Sequence, residues 1–210
     1  MSFLRSVFIV FILTIFPLQN CGSQVDFGNL VSVRGDRFIV RLRYNSEDNY
    51  FHKNFYSKYS LSDCYLHRDL YDKILKIIPR LKELKLKLVF WDCYRPLEVQ
   101  RDLWAYLPNP KYVANPQTGS NHNRAIAVDC TLSDESGKEL EFPSVYDDFS
   151  DKASHKYKCT KAEEKLCQHR ELLAKLMKEA GINLYKSEWW HYQLNKENYP
   201  IINVLPNKVK

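Results

Sequence analysis

Two short apolar runs in this chain each carry an aspartate followed directly by a cysteine. They read LKLVFWD over Leu86–Asp92, with Cys93 next, and AIAVDCTL over 125–132, with Asp129 and Cys130 inside it. Runs of this length and character read as buried strands. Between them lie CYRP and a helical stretch over 96–106, then a loop over 107–121 dense in Pro, Asn, Gly and Ser. Pro96 biases Arg95 toward an extended backbone and is suited to open the following helix.

The remaining elements arrange themselves around these two strands. Residues 37–44 (RFIVRLRY) alternate like a strand, and 45–60 read as loop. Apolar residues at 70, 74, 77, 78 and 81 give a helical period over 66–84, which Pro79 should kink or divide. Thr160 and Glu163 form a capping box for a helix running to Ala180, with Gly181 placed as its C-terminal cap. Residues 183–186 and 189–194 read as paired strands. The expected fold is an α+β domain, with a mixed or antiparallel central sheet flanked by helices.

Residues 1–20 stand apart from that domain. They carry one cation, Arg5, and an apolar run that suits the core of a signal peptide. Cys21 follows in LQNC, so two processing routes are expected. One is a lipoprotein signal ending at Cys21, which would attach the chain to a membrane. The other is ordinary cleavage after Ser23. A plain uncleaved anchor is a third reading, and all three place the folded part, 22–210, outside the cytoplasm, in a periplasm or on an envelope. The formal charge of +6 is spread among interleaved acids, which favours a solvated surface over a nucleic-acid groove.

An export compartment permits disulfides. Cys159 and Cys167 are close enough in sequence to pair. Cys93 and Cys130 could pair if their strands are neighbours. The cysteine spacings fit no four-cysteine zinc pattern.

Of six histidines, His52, His67, His155 and His169 sit in polar or charged stretches and read as surface. His122 and His191 sit near carboxylates in apolar or aromatic settings. His122 precedes Asp129 by seven residues, and an odd offset places them on opposite faces of a continuous strand. They converge only if His122 lies in the turn before the strand. For the same reason, Glu188 and His191, in KSEWWHYQ, need a bulge or bend within EWWH, or else one of the two sits before the strand proper. Two imidazoles and one carboxylate suffice for a three-ligand zinc site with a fourth position open. His122, Asp129 and His191 can supply them. Glu188 can serve as acid/base, and Arg95 as the cation on a developing oxyanion.

Three motifs, in this order, carry a family resemblance. DCYRP resembles D-G-Y-R-P, SNHNRAIAVDCTL resembles S-x-H-x-x-G-x-A-x-D, and SEWWHYQ resembles E-W-W-H. All three are signatures of the zinc D-alanyl-D-alanine dipeptidases, and the likeness covers most of 36–195. The resemblance implies one zinc ion on His122, Asp129 and His191, with Glu188 as catalytic base then acid and Arg95 as transition-state stabiliser. It further implies Ser120 on the substrate carboxylate, Asp147 (or Asp148) on the substrate ammonium, and Asp92 orienting the surroundings of Arg95. The implied substrate is a small D,D-dipeptide, split into two D-alanines in cell-wall turnover. Ala125 and Cys93 replace family glycines, and either would be strained if its position requires φ > 0. The rival expectations are a D,D- or L,D-carboxypeptidase acting on longer peptidoglycan stems, and a non-catalytic zinc-binding envelope protein.

Overall fold

A computed structural model describes residues 29–205. The expectations for the first 21 residues lie outside the described residues. The chain begins with β1 (Leu30–Ser32) and β2 (Phe38–Val40), then forms β3 (Tyr65–His67), α1 (Arg68–Leu75) and α2 (Ile78–Glu83). β4 (Leu86–Asp92), α3 (Leu97–Tyr106) and β5 (Ala127–Asp134) follow, and α4 (Glu164–Glu179) leads into β6 (Asn183–Tyr185) and β7 (Glu188–Gln193).

Five strands form the central sheet in the order β2-β4-β5-β7-β6, and β1 pairs with β3 in a separate ribbon. β2 runs parallel to β4, while the other neighbours in the sheet are antiparallel. The sheet is therefore mixed, as expected of the α+β class. β4 and β5 are buried along most of their length, as apolar runs covered on both faces should be. α4 packs on β5, β6 and β7, burying Leu173, Leu176 and Met177.

Of three local readings, two change and the one at Pro79 holds. The strand expected over 37–44 shortens to Phe38–Val40, and the chain then makes a tight turn at Arg43–Asn45. Its pairing ends where Val40 meets Phe90, the residue after which β4 skips one position against β5. Pro79 divides the 66–84 stretch by opening α2 in its first turn, where its missing N–H costs nothing. Pro96 caps α3 from outside instead of being its first residue.

The cysteine pairing also changes. Cys159–Cys167 forms as expected, but Cys93 pairs with Cys64, leaving Cys130 free and buried. β4 and β5 are neighbours, yet their register sets Cys130 opposite Phe90 and Asp129 opposite Asp92. Cys93 lies past the end of that ladder. There Tyr94 N–H donates to Tyr65 O at 2.9 Å, which brings Cys93 beside Cys64.

Candidate active site

The skipped residue in β4 is Trp91, and the skip makes Asp92 the register partner of Asp129 on β5. On the other side of β5, Asp129 is the register partner of His191 on β7. His122 arrives from a tight turn, His122–Arg124, just before β5. That is the placement its odd offset from Asp129 demands. The second demand is met too: β6 and β7 slip register between Leu184 and Tyr185, so β7 is irregular between Glu188 and Tyr192.

Three side-chain atoms converge. His122 Nε2 lies 3.3 Å from His191 Nδ1 and 3.4 Å from Asp129 Oδ1, and His191 Nδ1 lies 2.9 Å from Asp129 Oδ1. Ligand atoms ~2.0–2.1 Å from a tetrahedral zinc stand roughly 3.3 Å apart. The triangle thus has the size of one face of a zinc tetrahedron, and its donors are of the kind zinc accepts. All three residues are buried yet border a cavity of about 470 Å³.

Each of the three is held from behind. His122 Nδ1–H donates to the Cys93 carbonyl at 2.8 Å, which leaves Nε2 as the free lone pair. His191 Nε2–H donates to Gln193 Oε1 at 2.8 Å, so Nδ1 is the nitrogen turned to Asp129 Oδ1 and His122. Gln193 Oε1 also accepts from Asn121 Nδ2 at 2.6 Å. Tyr146 O–H donates to Asp129 Oδ2 at 2.9 Å. Burial opposes ionisation of Asp129, but His122 and His191 outweigh it and hold the carboxyl well below its ordinary range. Burial likewise opposes charge on His191, and the Asp129 hydrogen bond outweighs it, raising the imidazole to about 9.

Glu188 lies at the cavity wall, with Oε2 3.8 Å from His191 Nδ1. Burial raises its pKa, the direction a general base near neutrality needs. Arg95 faces the same cavity and is buried. Its Nε and Nη2 donate to Asp92 Oδ2 at 3.0 and 2.5 Å, and Nη1 donates to Gln100 Oε1 at 2.9 Å. The Tyr44 ring stacks beneath the guanidinium at 5.0 Å. Asp92 does not line the cavity; it is fully buried behind Arg95 and also accepts from Tyr56 O–H.

Ser120 borders the cavity and its Oγ accepts from His122 N–H at 3.0 Å, closing the turn that carries His122. Of the two candidate aspartates, Asp147 is the one tied to the site. Its Oδ2 accepts from Tyr44 O–H at 3.1 Å, whereas Asp148 folds back on Ser150. Burial, with Asp129 nearby, pushes the Asp147 carboxyl up to about 8.

The two glycine replacements resolve differently. Ala125 has φ +56°, a left-handed backbone that costs an L-residue roughly 1–2 kcal/mol. Cys93 has no such backbone and bears no such strain.

A family model described as D-ala-D-ala dipeptidase, of the M15 peptidases, matches residues 26–205. The chain belongs to this family. It is 37% identical over 118 residues to the D-alanyl-D-alanine dipeptidase of Escherichia coli K12, covering 56% of this chain and 60% of that protein. It is 33% identical over 138 residues to the D-alanyl-D-alanine dipeptidase of Enterococcus faecium, covering 54% of this chain and 64% of that protein. The chain thus matches less than two thirds of the length of these dipeptidases.

Of the eight residues expected at the site, seven border the cavity, and the eighth, Asp92, lies behind it and holds Arg95. The sequence reading missed the supports, namely Tyr44, Tyr56, Gln100, Asn121, Tyr146 and Gln193. Gln193 had a signal, because it stands two residues after His191 and so on the same side of the strand. The two tryptophans divide their duties. Trp189 is core, stacked on Phe142 at 4.0 Å, while Trp190 forms part of the cavity wall. Among the other histidines, His155 departs from the surface reading: burial, with Arg170 nearby, lowers its pKa to about 4.

Proposed function

We propose that this protein is a zinc dipeptidase that hydrolyses D-alanyl-D-alanine to two D-alanines. The observation that carries the reading is the His122–Asp129–His191 triangle, open on one side to a cavity that also holds Glu188, Arg95 and Asp147. His122, Asp129 and His191 would hold the zinc ion. When bound, zinc acidifies a water and polarises a carbonyl.

The chain's own groups account for the rest. Glu188 accepts a proton at its carboxylate and returns it to the departing amine. Arg95, fixed by Asp92 and Gln100, presents a cation that cannot turn away, so it is already oriented for the charge that develops on the substrate oxygen. Asp147 meets the substrate's free ammonium, and Ser120 its carboxylate. Those two end contacts suit a dipeptide better than a longer stem.

Glu188→Ala tests the assignment. Release of D-alanine should fall by roughly 10²–10⁴-fold with zinc still bound. Near wild-type turnover in this variant would overturn the role of Glu188. Chelation should abolish turnover and zinc add-back restore it.

We also propose that the protein works outside the cytoplasm, on dipeptides released from the cell wall. Its two disulfides support this, because such bonds persist in oxidising compartments. Fractionation of cells should find the active protein in the envelope; a cytoplasmic pool would contradict the reading.

A further inference from the structure

The Cys64–Cys93 disulfide lies directly behind the metal-site triangle without bordering the cavity. Both cysteines are buried. Cys93 is joined to the site through its backbone: its N–H donates to Asp92 Oδ1 at 3.0 Å, and its carbonyl accepts from His122 Nδ1 at 2.8 Å. Two residues on, Arg95 N–H donates to the His122 carbonyl at 3.1 Å, and Asn123 Nδ2 donates to the Arg95 carbonyl at 2.7 Å. Residues 93–95 and the turn that carries His122 are thus bonded to each other three times.

This segment has left the central sheet, and outside the site Tyr94 holds it, through its N–H on the Tyr65 carbonyl at 2.9 Å and its hydroxyl on the Ile202 and Val204 carbonyls at 3.0 and 2.8 Å. The β4–β5 ladder ends at Asp92, so residues 93–95 have lost their sheet neighbour. On the far side of the disulfide, Cys64 is anchored: Val33 N–H donates to its carbonyl at 2.9 Å, and β3 begins one residue later. The crosslink therefore ties the end of β4 covalently to the β1–β3 ribbon, beside the Tyr94–Tyr65 hydrogen bond. Cys93 also stands where the D-G-Y-R-P motif has glycine, and its backbone does not require one. The crosslink is a feature of this chain and not a demand of the motif.

We propose that Cys64–Cys93 is a positioning crosslink for the active centre. It holds the Cys93 carbonyl against His122, and it holds Arg95 in register with the turn carrying that ligand. Metal affinity and the placement of the cation then both depend on an intact disulfide. The inference rests on reading His122, Asp129 and His191 as a metal centre.

The second disulfide supplies the control. Cys159–Cys167 clips the start of α4, and neither cysteine borders the site cavity. The metal-free full chain would be titrated with cobalt(II), read by its visible absorption and by chelator competition. Loss of contacts that orient a ligand typically weakens metal binding 10–100-fold. Cys64→Ala/Cys93→Ala should show a loss at the lower end of that range and an altered cobalt spectrum. Cys159→Ala/Cys167→Ala should lose thermal stability yet keep both affinity and spectrum. A folded Cys64→Ala/Cys93→Ala protein with wild-type affinity and spectrum would overturn the proposal. Should that variant not fold, Cys159→Ala/Cys167→Ala protein reduced with a phosphine below its melting temperature, with a thiol titration showing that Cys64–Cys93 has opened, gives the comparison, and unchanged binding there would also overturn it. A wild-type protein that binds no cobalt would sink the metal-centre reading itself, before any variant is compared.

Discussion

Asp129 and His191 are register partners on adjacent antiparallel strands, and their side chains meet at 2.9 Å between Oδ1 and Nδ1. A hydrogen-bonded sheet thereby fixes two corners of the triangle, and only His122 comes from a turn. Sites built on strands hold their geometry more tightly than sites built on loops.

That arrangement makes Gln193 a sensitive position. Its amide oxygen receives both His191 Nε2–H and Asn121 Nδ2–H. Gln193→Ala frees the His191 ring, and metal affinity should weaken by roughly 10–100-fold. A chelator-competition titration reads this directly, and Asn121→Ala should show a smaller loss in the same direction.

Arg95 and Asp92 form a buried ion pair, with Tyr56 and Gln100 completing their hydrogen bonds. Removing one member leaves an uncompensated buried charge, at a cost of about 3–5 kcal/mol. Arg95→Ala should therefore lower stability by that order as well as turnover. Asp92→Ala/Arg95→Ala should recover part of the stability and none of the activity. Urea denaturation of the two variants, beside a turnover assay, separates the two effects.

Asp147 gives the metal-free protein a pH signature. Its folded-state pKa of about 8 lies above the ordinary carboxyl value of about 3.9. Between those values the folded state holds a proton that the unfolded state has released. Stability therefore falls as pH rises through that window. In the absence of metal, the melting temperature of wild type should drop from pH 5 to pH 8 more steeply than that of Asp147→Asn. Parallel curves would show that Asp147 is ionised throughout.

Loss of the Cys159–Cys167 crosslink should lower stability modestly. For a loop this short, the chain-entropy model gives about 2.5 kcal/mol, against about 3.5 kcal/mol for the longer Cys64–Cys93 loop. Denaturant midpoints of the two double-alanine variants would rank them.

The sequence disclosed the site because its chemistry needs particular residue types in short motifs, and those motifs sit on strands with readable alternation. His122 before β5 and the irregularity in β7 followed from parity arguments that needed no structure. The supports were hidden for a different reason. Tyr44, Tyr56 and Gln100 reach the site from segments with no periodic relation to it, and only the folded chain brings them together. The Cys64–Cys93 pairing was hidden because it depends on the single residue skipped at Trp91, which moves Cys93 off the ladder. A two-residue strand alternation offers no warning of such a skip.

The placement of charge around the cavity has one more consequence. A doubly charged cation beside Asp129, together with Glu188, Asp92 and Arg95, would bring that cluster to electroneutrality, which leaves Asp147 as the acid there to pair with a ligand's ammonium. A zwitterionic dipeptide is also neutral overall, so its approach is neither drawn nor repelled by a net field. Its capture should then change little with ionic strength, unlike that of a ligand steered by charge.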